Sequence, residues 1–219
     1  MTADYMCSCC RAPFVNESPL DEYGRCALCR LGLTSFDAAY SYGFYEGPLR
    51  RLIHLFKYAG VQPLSQPLAE RLMLAFPRDL GIDVIVPMPL HWKRRLVRGF
   101  NQSELLARAV GRRINVPVVP AVRRVRSTSV QAGLTNSKRR ANVAGAFRVY
   151  KAPLVAGLRV LLVDDVLTTG ATAAACAAAL KRAGARSVTV LTLARVDRRW
   201  SSPADWQPSR TAAVSSGAF

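Results

Sequence analysis

Apolar positions fall into a few short dense runs, separated by longer stretches with helical spacing. Val160–Val163 (VLLV) is apolar at every position, as expected for a strand buried on both faces. Asp83–Leu90 (DVIVPMPL) and Val188–Val196 (VTVLTLARV) read the same way, and Ala39–Tyr45 (AYSYGFY) alternates like a half-buried strand. A shorter run, Val116–Val119, predicts one more strand. Between the strands, Leu49, Leu52, Ile53 and Phe56 mark one face of a helix that follows the Gly47-Pro48 start signal. Further helices are predicted over Leu64–Ala75, from about Asn101 or Ser103 onward, and over the alanine-rich Ala173–Ala183, which Gly184 stops. Strands alternating with helices predict an open α/β sheet, mostly parallel, with its ligand at the carboxyl ends of the strands.

The two ends of the chain break this pattern. Residues 1–35 hold two C-x-x-C knuckles, Cys7–Cys10 and Cys26–Cys29, with fifteen residues between them. Four such thiolates suit one structural Zn²⁺, which can fold a segment too small for a core of its own. Cys7, Cys10, Cys26 and Cys29 are the expected ligands because their spacings match, although Cys9 makes the first knuckle ambiguous. The domain expected over 36–199 is followed, at 200–219, by a Ser/Pro/Ala-rich segment expected to be a disordered tail. No apolar run is long enough to span a bilayer, and the polar start lacks signal-peptide character, so a cytoplasmic protein without membrane insertion is expected. Nothing in the pattern specifies an oligomeric state.

Charge narrows the choice of partner. Lys and Arg outnumber Asp and Glu 31 to 14, for a formal net charge of +17. The excess is local: from Val84 to Arg159 there are sixteen basic residues and one acid, Glu104. Such a field favours polyanions, whether pyrophosphate, nucleotides or nucleic acid.

Candidate chemistry centres on VLLVDDVLTTGAT, residues 160–172. A strand, two carboxylates, a small hydroxyl-rich turn and a helix follow one another. Helix N-termini present unpaired N–H groups and the positive end of the macrodipole, so a loop opening into one can hold a phosphate. Gly170 lets the backbone curl around the anion, while Thr168, Thr169 and Thr172 add hydroxyl donors. Asp164 and Asp165 are acceptors suited to a sugar diol, directly or through Mg²⁺. Neither a Walker A loop nor a G-x-G-x-x-G fingerprint is present. A receiver domain is excluded, since no further acid occurs between Asp165 and Asp197.

This stretch resembles the phosphoribosyl pyrophosphate (PRPP) loop of type I phosphoribosyltransferases. With the cysteine knuckles, VPMPLHWKRRLVRGFNQSELLA and QAGLTNSKRRANVAGAF, it makes residues 5–196 similar to the competence protein F (ComF, or GntX-like) family. The resemblance implies a Rossmann-like type I fold with an N-terminal zinc-ribbon-like module. It also implies a link to DNA uptake in natural transformation, with that machinery's proteins as partners. Asp164 and Asp165 would be the catalytic acids, and Val166, Leu167, Thr168, Thr169, Gly170, Ala171 and Thr172 the PRPP loop. Pro87, Met88 and Pro89, with Arg94 and Arg98 in the basic loop that follows, would meet the pyrophosphate. Gln131, Lys138, Arg139 and Asn142 would lie on a flexible closing loop, with Lys138 and Arg139 reaching pyrophosphate when it shuts. The expected activity is transfer of a phosphoribosyl group from Mg²⁺–PRPP. The alternatives are a non-catalytic adaptor for single-stranded DNA and a PRPP-sensing regulator.

Overall fold

The computed structural model describes residues 5–126 and 145–197. The strands are β1 (Tyr5–Met6), β2 (Pro13–Phe14), β3 (Ala38–Phe44), β4 (Val84–Pro87), β5 (Val122–Arg124), β6 (Phe147–Val149), β7 (Arg159–Leu167) and β8 (Ser187–Arg195). The helices are α1 (Ala27–Arg30), α2 (Gly47–Tyr58), α3 (Ser65–Ala75), α4 (Trp92–Arg98), α5 (Gln102–Ile114) and α6 (Ala171–Arg182). β3, β8, β7 and β4 lie side by side in that order and pair in parallel throughout. The expected open parallel α/β sheet is therefore present.

Strand periodicity divides the core into two layers. Ile85, Leu161, Val163, Leu191 and Leu193 face one side, where Ile53 and Phe56 of α2, Leu68 and Leu72 of α3, and Leu106 and Val110 of α5 cover them. Val84, Val86, Val160, Leu162, Val188 and Val190 face the other, under Ala173, Cys176, Ala177 and Leu180 of α6. Each large side chain buried this way contributes about 1.5–3 kcal/mol. Cys7, Cys10 and Cys26 belong to the second layer, so the N-terminal segment packs directly on the sheet. Arg195 Nη1, at the end of β8, donates to Cys10 O at 2.6 Å, and Ala39 N donates to Cys9 O at 3.1 Å.

The structure departs from the sequence expectations at four places. β7 does not stop after its apolar run but continues through both aspartates to Leu167, because β8 still pairs with it. Residues 116–119 make one bridge, Ile85↔Val118, rather than a strand. Ile85 N donates to Pro117 O and Val119 N to Ile85 O; the next donor on that edge would come from position 87, a proline without an N–H. The segment expected as a basic loop after Pro89 contains a helix, α4, which His91 caps by accepting from Lys93 N and Gly99 ends in the left-handed region at φ 77°. β5 and β6 form an antiparallel ribbon that the pattern did not announce. Gln131, Lys138, Arg139, Asn142 and the tail expected over 200–219 lie outside the described residues.

Candidate functional site

The site begins where two strands stop pairing. β4 follows β7 as far as Pro87↔Val163, and Met88 N donates to Val163 O at 2.8 Å. In a parallel ladder the next rung would run from Asp165 N to Met88 O. Both groups are engaged elsewhere: Asp165 N donates to Asp164 Oδ1 at 2.9 Å, and Met88 O accepts from Asn101 Nδ2 at 3.1 Å. Two side chains thus satisfy the backbone groups and let the strands part. A cleft of about 190 Å³ opens over the carboxyl ends of β4 and β7.

Both aspartates line it. Asp165 is 4% exposed; its Oδ1 takes the Lys57 ammonium at 2.9 Å, while its Oδ2 is buried with no hydrogen-bond partner. Asp164 Oδ1 also accepts from Ser103 Oγ at 2.9 Å. Burial, and next the Asp165 carboxylate, push Asp164 up to about 7 against the pull of Lys57. Burial works against the Lys57 ammonium, but the carboxylates of Asp165 and Asp164 outweigh it and hold the lysine above its ordinary value. One ammonium therefore faces two carboxylates.

Past the acids, β7 turns into α6 through Thr168-Thr169-Gly170. Gly170 is the N-cap residue at φ 78°, a conformation that strains any residue with a Cβ, and it has no side chain with which to cap the helix itself. Thr169 Oγ1 accepts from Ala171 N at 3.3 Å, so this hydroxyl closes the turn. Thr168, Gly170 and Thr172 line the cleft, as do Val166 and Leu167. Opposite them stand Met88, Pro89, Arg94 and Arg98. Arg98 is fixed by donating to Gln102 Oε1 at 2.8 Å.

Three expected residues do not reach the cleft. Pro87 opens onto a neighbouring groove of about 570 Å³, Thr169 onto an apolar cavity of about 380 Å³ beside the cysteine knuckles, and Ala171 is buried at the helix start. Lining residues that were not assigned to the site from sequence include Lys57, Tyr58, Ser103 and Arg124. Burial and the Arg94 guanidinium lower Arg124 from its ordinary value, and its side chain forms part of the wall between cleft and groove. Arg124 belongs to the basic stretch singled out above, but only the β5–β6 ribbon shows which way it faces.

The four paired cysteines form a second candidate centre. Their sulfurs all lie within 4.8 Å of one another, with Cys7–Cys29 at 3.7 Å and Cys10–Cys26 at 3.8 Å. Tetrahedral zinc with Zn–S bonds of about 2.3 Å requires an S···S edge of about 3.8 Å, so the donor set fits that ion. Cys26 N donates to Cys7 Sγ at 3.3 Å, the kind of bond that supports a thiolate ligand. Cys9 instead approaches Asp37 O at 3.3 Å and is not one of these four. No disulfide is formed. Among the described residues no helix is long and apolar enough to cross a membrane.

Comparison with known proteins agrees with this architecture. Residues 100–215 match the phosphoribosyl transferase domain family. Competence protein F of Haemophilus influenzae is 34% identical over 187 residues, covering 81% of this chain and 82% of that protein. DNA utilization protein YhgH of Escherichia coli K12 is 38% identical over 158 residues, 69% of each chain. Among solved structures, adenine phosphoribosyltransferase from Saccharomyces cerevisiae overlaps 66% of this chain and 74% of its own, with 21% identity and a TM-score of 0.38. By its relatives, its matched domain and its parallel sheet, the chain belongs to the competence protein F family of phosphoribosyltransferase-domain proteins.

Proposed function

We propose that the cleft binds PRPP as its Mg²⁺ complex and transfers the 5-phosphoribosyl group to a nucleophile, releasing pyrophosphate. The observation that carries this reading is convergence: an acid pair, a helix N-terminus that starts at a glycine and two arginines face one cavity. The α6 N-terminus, with Thr168 and Thr172, holds the 5-phosphate. Asp164 and Asp165 accept hydrogen bonds from the ribose hydroxyls. As the C1–O bond to pyrophosphate breaks, the positive charge growing on C1 is stabilised by these carboxylates. Arg94 and Arg98, joined by Arg124, receive the charge on the departing diphosphate. Mg²⁺ bound with PRPP neutralises part of that diphosphate charge. Lys138 and Arg139 cover the ligand from the connection between β5 and β6. Residues 1–35, holding zinc through Cys7, Cys10, Cys26 and Cys29, act as the module against which residues 36–199 present the acceptor. The names of the relatives, a competence protein and a DNA utilization protein, support a role in the uptake and use of DNA. Calorimetry with Mg²⁺–PRPP, followed by pyrophosphate release across a nucleobase panel, tests the reading. No binding of PRPP would remove it; binding without release would leave a PRPP sensor.

One observation favours a second reading, an adaptor for single-stranded DNA. The groove next to the cleft is lined by Trp92, Tyr150, Arg95 and Arg123, with Trp92 58% and Tyr150 39% exposed. The Arg123 guanidinium lies 4.2 Å from the Tyr150 ring centre, and Lys93 Nζ lies 5.5 Å from the Trp92 ring centre. Aromatic faces interleaved with cations are the surface on which bases stack while phosphates are neutralised. If this reading holds, Trp92→Ala with Tyr150→Ala weakens oligonucleotide binding, and Lys138→Ala with Arg139→Ala flattens its salt dependence.

A further inference from the structure

We propose that Lys57 is a built-in counter-ion of the acid pair: it stands where a divalent cation would otherwise bind Asp164 and Asp165, and so reserves both carboxylates for the sugar of an incoming ligand. The inference deepens the PRPP reading and rests on it for the identity of that ligand.

Lys57 lies in the last turn of α2, far in sequence from the acids, and its Nζ sits 2.9 Å from Asp165 Oδ1. The two side chains are 15% and 6% exposed, so the pair is largely removed from water. A contact of this kind is not a solvated surface pair; taking both charges out of water is costly unless each answers the other. Arg94, Arg98 and Arg124 line the same cleft, yet among the described residues only Lys57 forms an ion pair with either acid. Asp165 keeps its Oδ2 without a partner, and Asp164 has only its Oδ1 bonded, to Ser103 Oγ and Asp165 N. Two adjacent carboxylates with free oxygens are what a hard divalent cation seeks. An ammonium paired with Asp165 and close enough to feel Asp164 repels that cation while remaining a compact charge with three donors, two of them able to turn toward a ligand.

This arrangement has two consequences. In the absence of PRPP the wild-type protein ignores free divalent ions at the acid pair. With PRPP, part of the positive charge that Mg²⁺ supplies elsewhere is already present, so removing Mg²⁺ weakens binding without abolishing it.

The test uses the full zinc-loaded chain and Mn²⁺ alone as the first probe, followed by electron paramagnetic resonance. Wild type and Lys57→Arg should show no Mn²⁺ site at the acid pair. Lys57→Met and Lys57→Gln should each acquire one with at least about tenfold tighter binding, on the order of 10⁻⁵ M. Lys57→Met combined with Asp165→Asn should lose it again. Zinc content and circular dichroism report whether each variant is folded. A folded Lys57→Met and Lys57→Gln that gain no site overturn the proposal. So does a Mn²⁺ site in wild type that disappears in Asp165→Asn, a result that does not depend on any Lys57 variant folding. In a second arm, PRPP affinity in chelator should fall at least about tenfold in Lys57→Met, and the gap to wild type should narrow in millimolar Mg²⁺. An equal loss in both media would make Lys57 a packing residue and overturn the proposal. Failure of PRPP to bind wild type removes the proposed function, whereas the Mn²⁺ titration decides the role of Lys57 independently.

Discussion

The two neighbouring strand–turn–helix units of the cleft are built on one plan and prepared for opposite tasks. β4 leads into α4 and α5, and both helices start under a side-chain cap, from His91 and Asn101. β7 leads into α6, which starts at Gly170, an N-cap residue with no side chain, and Thr169 Oγ1 takes Ala171 N. The first unit caps its helices from their N-cap side chains and places Arg94 and Arg98 on the cleft; the second has a glycine at that position and places two acids on the cleft. A helix start is an anion site only when nothing already occupies it. On the proposed PRPP reading, cap usage separates the unit that would meet a phosphate largely through backbone from the one that would meet it through side chains.

The sharpest test of this division is in the second unit. Asp164→Asn with Asp165→Asn should lower PRPP affinity at least about 100-fold, roughly 3 kcal/mol, while zinc content and secondary structure hold. Unchanged calorimetric affinity would erase the contrast. Next in size, Arg94→Ala with Arg98→Ala should weaken PRPP about tenfold and ribose 5-phosphate hardly at all if, as proposed, the first unit takes the diphosphate. Equal losses for both ligands would mean that the two units share one phosphate. The acids also leave a mark on the empty protein. Asp164 rises from 3.8 to about 7 on folding, so the folded chain keeps a proton that the unfolded chain has lost. Stability should therefore fall as pH climbs from about 4 toward about 7 and level off above, and Asp164→Asn should flatten that slope in thermal melts. The smallest effect belongs to a cap: Asn101→Ala should cost roughly 1 kcal/mol, a drop of about 2–4 °C in Tm.

The same contrast explains what could be read in the sequence. Buried parallel strands announce themselves as apolar runs, and VLLVDDVLTTGAT carries its acids, turn and helix start in consecutive residues, so the sheet and the strand–turn–helix order were legible. The end of β7 was not, because the strand is prolonged by β8 (Asp164↔Thr192, Val166↔Ala194) rather than by its own hydrophobicity. α4 was missed because histidine is not among the usual N-cap residues. Lys57 looked like one more charge on the polar face of a helix. Periodicity assigns a residue to a face but not to the strand end that its last turn overlooks, and the lysine's partner lies 108 positions away. The β5–β6 ribbon has three-residue strands, too short for alternation to register.

The parting of β4 from β7 has a consequence for how the pocket could be lost. Nothing bulky wedges the strands apart; Asp164 and Asn101 hold the amide and the carbonyl that would otherwise join them. Sheet and cavity are thus competing fates of the same two backbone groups. A chain carrying apolar residues at 101 and 164 would be free to zip one step further, trading its binding site for a longer ladder.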